Sequence, residues 1–317
     1  MLIRVKRVAK CSLAFPLILH MKQTIAIIGA GRLGTALGIA LSSLDHKVVA
    51  VVSRKITHAK QAARLIGPGV IALTSSQLSK LPSCDIIFIT TPDEAIAIVS
   101  KQLAESLSSE NKPDAVFHTS GALSSGCLTD LKKKNIAVGS LHPLISVSDP
   151  LIGAKSLDQA FYCVEGNRKA VRLARRLVSD FGGRIFSINT KNKVLYHASA
   201  VMACGHFVAL FDMAIEMLIH CGLDKDEARR ALLPLVRSTI DNLSTNNPAR
   251  SLTGPFARAD ATTVKKHLEA FEQTKLFEAL QAYILLGQRS IKLARQNSKD
   301  EEALKKIDAM LKQESIL

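Results

Sequence analysis

The chain has no tryptophan, and aromatic residues make up only 4% of it. That is too few to interleave with basic residues as a base-stacking surface, and no nucleic-acid recognition motif accompanies them. The net charge of +15 includes Arg168, Lys169, Arg172, Arg175 and Arg176, which share a helical stretch with Val171, Ala174, Leu177 and Val178. This is the pattern of an amphipathic surface helix with a solvated basic face, so no nucleic-acid partner is expected. The six cysteines (Cys11, Cys84, Cys127, Cys163, Cys204, Cys221) form no C-x-x-C pair and no Cys/His ligand spacing. This argues against a disulfide framework and a zinc site, and fits a reducing cytoplasm. A long uninterrupted apolar run is lacking too. Leu195 to Ile219 comes nearest, but His197, His206, Asp212 and Glu216 interrupt it, as a hydrocarbon-facing span would not allow. It reads as a long buried helix, and no membrane association is expected.

What the chain does have is length and apolar content. Its 317 residues, 47% of them hydrophobic, suffice for two domains with substantial cores. Residues 1–20 stand apart. Arg4, Lys6, Arg7 and Lys10 precede an apolar run from Cys11 to Leu19, which resembles the charged and apolar regions of a secretory signal, but no small-residue cleavage site follows. Met21 is expected to begin the folded chain, with 1–20 outside the fold.

Thr24 to Ile28 is an apolar run, Leu33 to Leu44 is apolar-periodic, and Gly29-Ala30-Gly31-Arg32-Leu33-Gly34 joins them. A G-x-G-x-x-G at a strand-to-helix junction is a dinucleotide-binding turn. The first glycine makes the turn, the second lets the backbone approach a pyrophosphate, and the third lets the helix pack on the strand. The free N–H groups and positive dipole end of the helix then face the phosphates. Gly29, Gly31, Arg32, Leu33 and Gly34 are therefore the expected cofactor residues.

The next strand, Lys47 to Val52, ends in Ser53-Arg54-Lys55, with no acid between Lys47 and Lys60. An NAD site places an acid here for the ribose 2'-hydroxyl, whereas arginine accommodates a 2'-phosphate. Ser53 and Arg54 thus point to NADP(H); the other reading is that Arg54 and Lys55 are solvated loop charges.

Further strands are expected near Val70 to Leu73, in Asp85 to Asp93, where the strand ends in a turn, at Ala115 to His118 and at Ile136 to Leu141. Helical stretches separate them at His58 to Leu65, Glu94 to Leu107 and Leu123 to Lys134. Alternation of this kind indicates a doubly wound parallel sheet, with ligands beyond the carboxyl ends of the strands. Thr91-Pro92-Asp93, His118-Thr119-Ser120-Gly121 and Leu141-His142-Pro143 lie there. Phe161 to Val164 and Arg184 to Ile188 should extend the sheet.

From Lys191 the period changes. Lys191 to His220 has no proline and reads as one helix of about 30 residues. Helices follow at Glu227 to Leu243, kinked near Pro234, then after an Asp260 cap, and at Leu276 to Arg295. The expected fold is α/β, a Rossmann-type doubly wound sheet (residues 21–189) followed by an all-helical domain (residues 190–317).

Lys193 and His197 are four residues apart near the start of the long helix, one turn apart on one face. A lysine so placed can stabilise an oxyanion and donate a proton, with His197 orienting the carbonyl or sharing the proton. From the residues alone, an exposed lysine beside a satisfied core histidine is the commoner arrangement. Arg258, in Leu252-Thr253-Gly254-Pro255-Phe256-Ala257-Arg258-Ala259-Asp260, is either a carboxylate clamp beside a helix N-terminus or part of a plain turn capped by Asp260. His142 before Pro143 is either a residue lining a nicotinamide or a histidine packed in a turn.

The glycine turn, His118-Thr119-Ser120-Gly121, Leu141-His142-Pro143-Leu144, Lys193-Val194-Leu195-Tyr196-His197-Ala198 and Leu252 to Asp260 together resemble proteins that pair a Rossmann-like domain with the domain of unknown function 2520. These are relatives of pyrroline-5-carboxylate reductase, ketopantoate reductase and the 3-hydroxyacid dehydrogenases. The similarity runs from about residue 22 to 295. It implies a helical domain like the C-terminal domain of 6-phosphogluconate dehydrogenase, and an NADP(H)-dependent reductase of a small oxo or imino acid, ketopantoate first among them. It also implies catalytic Lys193 and His197, a carboxylate-bearing substrate held by His142, Arg258 and Ser120, cofactor contacts that include Thr91 and Pro92, and a cytoplasmic homodimer formed through the helical domain. Such proteins usually carry an asparagine in the long helix where this chain has Gly205.

Overall fold

Isoleucine and valine fill short runs that can be buried on both faces, and these become the central strands of one sheet. In the computed structural model, which describes residues 22–297 and 300–314, the strands are β1 (Thr24–Ile28), β2 (Lys47–Ser53), β3 (Ile71–Thr74), β4 (Ile86–Ile89), β5 (Ala115–His118), β6 (Ala137–Pro143), β7 (Phe161–Gly166) and β8 (Arg184–Phe186). They order as β3-β2-β1-β4-β5-β6-β7-β8. The order reverses between β1 and β4, the switch point at which doubly wound sheets open a crevice for ligands. The readings for 1–20 and for Met21 as first residue fall outside the described residues.

Helices α1 (Arg32–Ser43), α2 (Ile56–Ile66), α3 (Asp93–Ser106), α4 (Thr129–Lys133), α5 (Pro150–Ser156) and α6 (Arg168–Asp180) accompany the sheet. One buried cluster joins Ile25, Ile27, Phe88 and Phe117 to Leu37, Leu41, Ala59, Ala174 and Leu177 of α1, α2 and α6. A second joins Ile28, Ile87, Ile89 and Val116 to Ile96, Leu103 and Leu131 of α3 and α4. The alternation of strand side chains thus feeds two separate cores. The basic residues of α6 face outward as expected, and Ala170, Ala174, Leu177 and Val178 are buried.

Two expectations are corrected. The sheet is not wholly parallel, because β7 pairs antiparallel with β6, while β8 returns parallel to β7. An apolar run such as Phe161–Val164 has no direction of its own, so the pairing is not written in it. The run from Lys191 to His220 is helical but not buried. It bends at Cys204 (φ −121°, ψ −73°) between α7 (Lys193–Ala203) and α8 (Gly205–His220). Along Thr190–His220 only 6% of the most apolar window is buried, although the helix is long and apolar enough to cross a membrane. Val194, Leu195, Met202 and Val208 are all more than half exposed.

The chain divides between Ala200 and Val201 into two compact units. The second holds α8, α9 (Lys225–Thr245), α10 (Pro248–Ser251), α11 (Gly254–Ala257), α12 (Ala261–Thr274), α13 (Phe277–Ala294) and α14 (Glu301–Glu314). Asp224 and Asp260 accept the backbone N–H groups of Glu227 and Thr263 as N-caps. The core of this unit is Phe256, Val264, Leu268, Ile284, Ile291, Leu304, Ile307 and Leu311. Helix α14 was not expected from the sequence.

Candidate functional site

Gly29 ends β1 with φ +126°, and a Cβ there would lie 2.6 Å from Thr90 Oγ1 and 2.8 Å from the Thr90 carbonyl carbon. Thr90 clamps the turn by donating its hydroxyl to the Gly29 carbonyl at 2.8 Å. A Cβ on Gly34 would lie 2.0 Å from the Gly29 oxygen, so this glycine lets helix and strand close on one another. Gly31 differs, since nothing lies within 4 Å of its would-be Cβ. Its backbone faces open space as the N-cap of α1, with no side-chain cap and no acid in the first turn. The first N–H groups of the helix are left for an anion. Arg32 is exposed and Leu33 half-buried beside this turn.

At the end of β2, Ser53 is half-buried and Arg54 exposed, with Lys55 next to it. At the end of β4, Thr91 Oγ1 is buried without a hydrogen-bond partner among the described residues, and Pro92 is the N-cap of α3. An open glycine turn, a basic end to β2 and an unpaired hydroxyl at the switch point are what a dinucleotide phosphate would require of these residues.

The second half of the site gathers at the ends of β5 and β6 and on α7. Ser140 and Glu165 are register partners across the antiparallel β6–β7 pair, so their side chains share a face. Lys193, at the start of α7, comes down onto that face. Its Nζ donates to Ser140 Oγ at 2.7 Å and pairs with Glu165 Oε1 at 3.6 Å. Ser140 in turn donates its hydroxyl to the Ser120 carbonyl at 3.2 Å. Glu165 also accepts the Ser125 N–H at 2.6 Å and the Ser125 hydroxyl at 2.8 Å. Lys193 is 1% exposed, neither a surface lysine nor one facing solvent. Burial lowers its pKa, and Glu165 opposes the shift.

Ser120 is built into its loop by three hydrogen bonds. Its Oγ donates to Asp93 Oδ2 at 2.8 Å and accepts the N–H groups of Ala122 and Leu123. His118 is fully buried and its Nδ1 accepts the Ser120 N–H at 3.2 Å. Burial, with the charge of Lys193 adding, lowers its pKa to about 4. Gly121 follows, and a Cβ on it would lie 2.8 Å from His197 Cδ2 and 2.9 Å from both Cε1 and Nε2 of His142. A side chain is excluded here by two imidazoles, not by backbone conformation. His142 Nδ1 meets the Tyr196 hydroxyl at 2.7 Å. Burial, then the charges of His197 and Lys193, lower the pKa of His142 to about 4, so the ring is neutral at pH 7.

Lys193, His197, His142 and Ser120 therefore come together within one unit. Arg258 belongs to the second unit, where it is exposed after α11. There it adds to the hydrogen bonds from Thr263 that hold Asp260 below the usual carboxylate range. Sequence reasoning missed Ser140, Glu165 and Tyr196. Glu165 carried one signal, an acid closing the apolar run Tyr162-Cys163-Val164. Ser140 carried none, because its role depends on a strand register. Among the described residues no cluster of His, Cys, Asp and Glu has the makings of a metal site.

Residues 17–143 match the Rossmann-like domain model, and residues 160–290 match the domain of unknown function DUF2520. The chain joins a Rossmann-like domain to a DUF2520 domain. Similar solved structures span nearly the whole of their own chains. A Bacteroides fragilis protein named as an NADP oxidoreductase is 20% identical, covering 86% of this chain and 98% of its own, with a TM-score of 0.69. A Thermotoga maritima protein is 24% identical with the same coverage and a TM-score of 0.65. A pyrroline-5-carboxylate reductase of Streptococcus pyogenes is 16% identical, covering 87% of this chain and 99% of its own, with a TM-score of 0.56. These likenesses establish a shared fold. A curated relative, the glycerol-3-phosphate dehydrogenase [NAD(P)+] of Enterococcus faecalis, is 30% identical over 115 residues, which is 33% of each chain. The chain thus spans about a third of the length of the first curated relatives it matches.

Proposed function

We propose that this DUF2520 chain is a cytoplasmic NADP(H)-dependent reductase of a small oxo acid or imino acid, with ketopantoate (2-dehydropantoate) the first single candidate. The observation that carries the reading is the buried Lys193 cation set among Ser140, Glu165, His142 and His197 at the carboxyl ends of β5 and β6, on the sheet edge to which the glycine turn also opens.

Gly29, Gly31, Arg32, Leu33 and Gly34 would hold the pyrophosphate, Ser53 and Arg54 the 2'-phosphate, and Thr91 and Pro92 the face toward the reacting end. When bound, NADPH supplies a hydride. The residues of this chain do the rest. As negative charge grows on the oxygen or nitrogen of the substrate, Lys193 supplies the compensating charge and the proton, and its burial makes the ammonium a stronger acid. His197 orients the reacting group, while His142 and Ser120 hold the substrate.

A second reading follows from the burial of Lys193, whose ammonium is already engaged by Ser140 and Glu165. The protein would then bind NADP(H) as a sensor or interaction module without turnover. NADPH oxidation measured against ketopantoate, pyrroline-5-carboxylate and a series of 2-oxo acids separates the two. Turnover of one substrate that falls about 10²- to 10⁴-fold in Lys193→Ala, with NADPH affinity kept, supports the reductase. Tight NADPH binding with no turnover across the panel favours the sensor.

The helical unit is proposed to form a homodimer. Phe207 and Val208 of α8, Leu235 and Ile240 of α9, and Phe277 and Leu285 of α13 are all exposed, the kind of apolar surface that association covers. Sedimentation that gives a monomer at every concentration would refute this.

A further inference from the structure

The hydrogen-bonding groups beside His142 favour one of two arrangements. The Nδ1 of His142 and the hydroxyl of Tyr196 are 2.7 Å apart, and the Cys163 thiol is a second hydrogen-bonding neighbour of that hydroxyl. Tyr196 keeps its proton, since burial first and then Cys163 push its phenol up. If Nδ1 donated to the phenol oxygen, the phenol proton would be left for a thiol sulfur, a weak acceptor. If the phenol donates to Nδ1, the strongest acceptor receives the strongest donor, and the thiol S–H can turn to the phenol oxygen. The second arrangement puts the imidazole proton on Nε2. That nitrogen lies on the ring edge beside Gly121. His197 stands edge-on to the same ring with centroids 6.0 Å apart.

We infer that Tyr196 is a positioning residue that fixes His142 as its Nε2–H tautomer, so that a neutral imidazole donates a hydrogen bond to the substrate C=O or C=N group. The substrate half of this inference rests on the reductase reading; the tautomer half does not. A neutral N–H donor suits an oxygen that gains charge during reaction, because it is already aimed and loses nothing to reorganisation. It needs no proton transfer of its own, and Lys193 remains the proton source. Gly121 is the steric counterpart of the arrangement, since any side chain there would press on the Cε1–Nε2 edge of His142. Tyr196 is itself held by Phe186, ring centroids 5.8 Å apart at 71°, so its hydroxyl is delivered by a packed ring.

The tautomer can be read without substrate or cofactor. Nitrogen-15 correlation spectra of the full chain labelled at histidine, at neutral pH, should give His142 a pyrrole-type Nε2 and a pyridine-type Nδ1, the signals assigned by their loss in His142→Gln. Tyr196→Phe keeps the packed ring and should mix the two tautomers. A pyrrole-type Nδ1 in the unmutated protein, or an unchanged tautomer in Tyr196→Phe, overturns the inference. On whichever panel substrate is turned over, His142→Ala should lower kcat about 10²- to 10³-fold, the scale of one lost oxyanion donor. Tyr196→Phe should lower it by less, with the KM for NADPH unchanged. In the His142→Gln background, where an amide N–H replaces Nε2–H, adding Tyr196→Phe should change kcat no further. An equal loss in both backgrounds shows a merely structural role and sinks the proposal. If no substrate is turned over, the reductase reading fails and the spectra alone decide the tautomer.

Discussion

His142 and His197 stand edge-to-face across Gly121, at 75° between ring planes, with both rings within 3 Å of the place a Cβ would take. Gly121→Ala must therefore push at least one imidazole aside. Overpacking of a buried position costs about 1–3 kcal/mol, so the variant should fold with a lowered melting temperature. Turnover should fall far more than NADPH affinity. Normal kcat in Gly121→Ala would show that neither ring position matters.

Fold and cofactor binding can be separated within the glycine turn. Gly31→Ala meets no atom and should leave stability within about 0.5 kcal/mol, the range of a harmless surface change, while weakening NADPH by blocking backbone approach. Gly34→Ala collides with the Gly29 carbonyl at 2.0 Å and should destabilise the whole domain. Thermal melts of the two variants beside nucleotide titrations check this. Equal melting losses would refute the assignment of separate duties.

Under the proposed function, Arg54 should decide between the two nicotinamide cofactors. Arg54→Ala should weaken NADPH by about 1.5 to 3 kcal/mol, the scale of a hydrogen bond to a charged group, and leave NADH nearly unchanged. Calorimetric titration of both cofactors tests it. Equal affinities in the unmutated chain would remove the basis for NADP(H).

His118 makes stability depend on pH. Its folded pKa of about 4 lies below the ordinary value of about 6.5, so between those limits the unfolded chain binds a proton that the folded chain refuses. Stability is full above about pH 6.5, falls as pH drops toward about 4, and levels off below. The gap corresponds to about 3 kcal/mol at 1.36 kcal/mol per pH unit. His142 acts with the same sign. Urea unfolding at a series of pH values should show this slope, and His118→Asn should flatten part of it. A slope of the opposite sign would mean that His118 is protonated in the folded protein.

How far the sequence could be read depends on what each feature rests on. The glycine turn was legible because its three glycines answer to local backbone demands, and β1 and α1 flank it with opposite periodicities. Lys193 was legible as a candidate by its spacing from His197, but its burial was not. The group that makes burial tolerable is Glu165, and strand pairing alone brings Glu165 to it. The direction of β7 was illegible for a related reason, since Phe161 to Val164 reads the same either way. The helix from Lys191 to His220 is apolar on most faces, yet periodicity says only that such a helix needs cover, not what covers it.

The antiparallel pairing of β7 has a consequence for assembly. Ser140 faces Glu165 only in one alignment of the two strands; a slip of one residue would bring Val164 or Gly166 opposite it and turn the carboxylate to the other side of the sheet. Helix α7 could then dock only by enclosing an ammonium with no counter-charge, a state several kcal/mol less stable than the paired one. Lys193 thereby ties the charge balance of its helix to the register of the sheet beneath it.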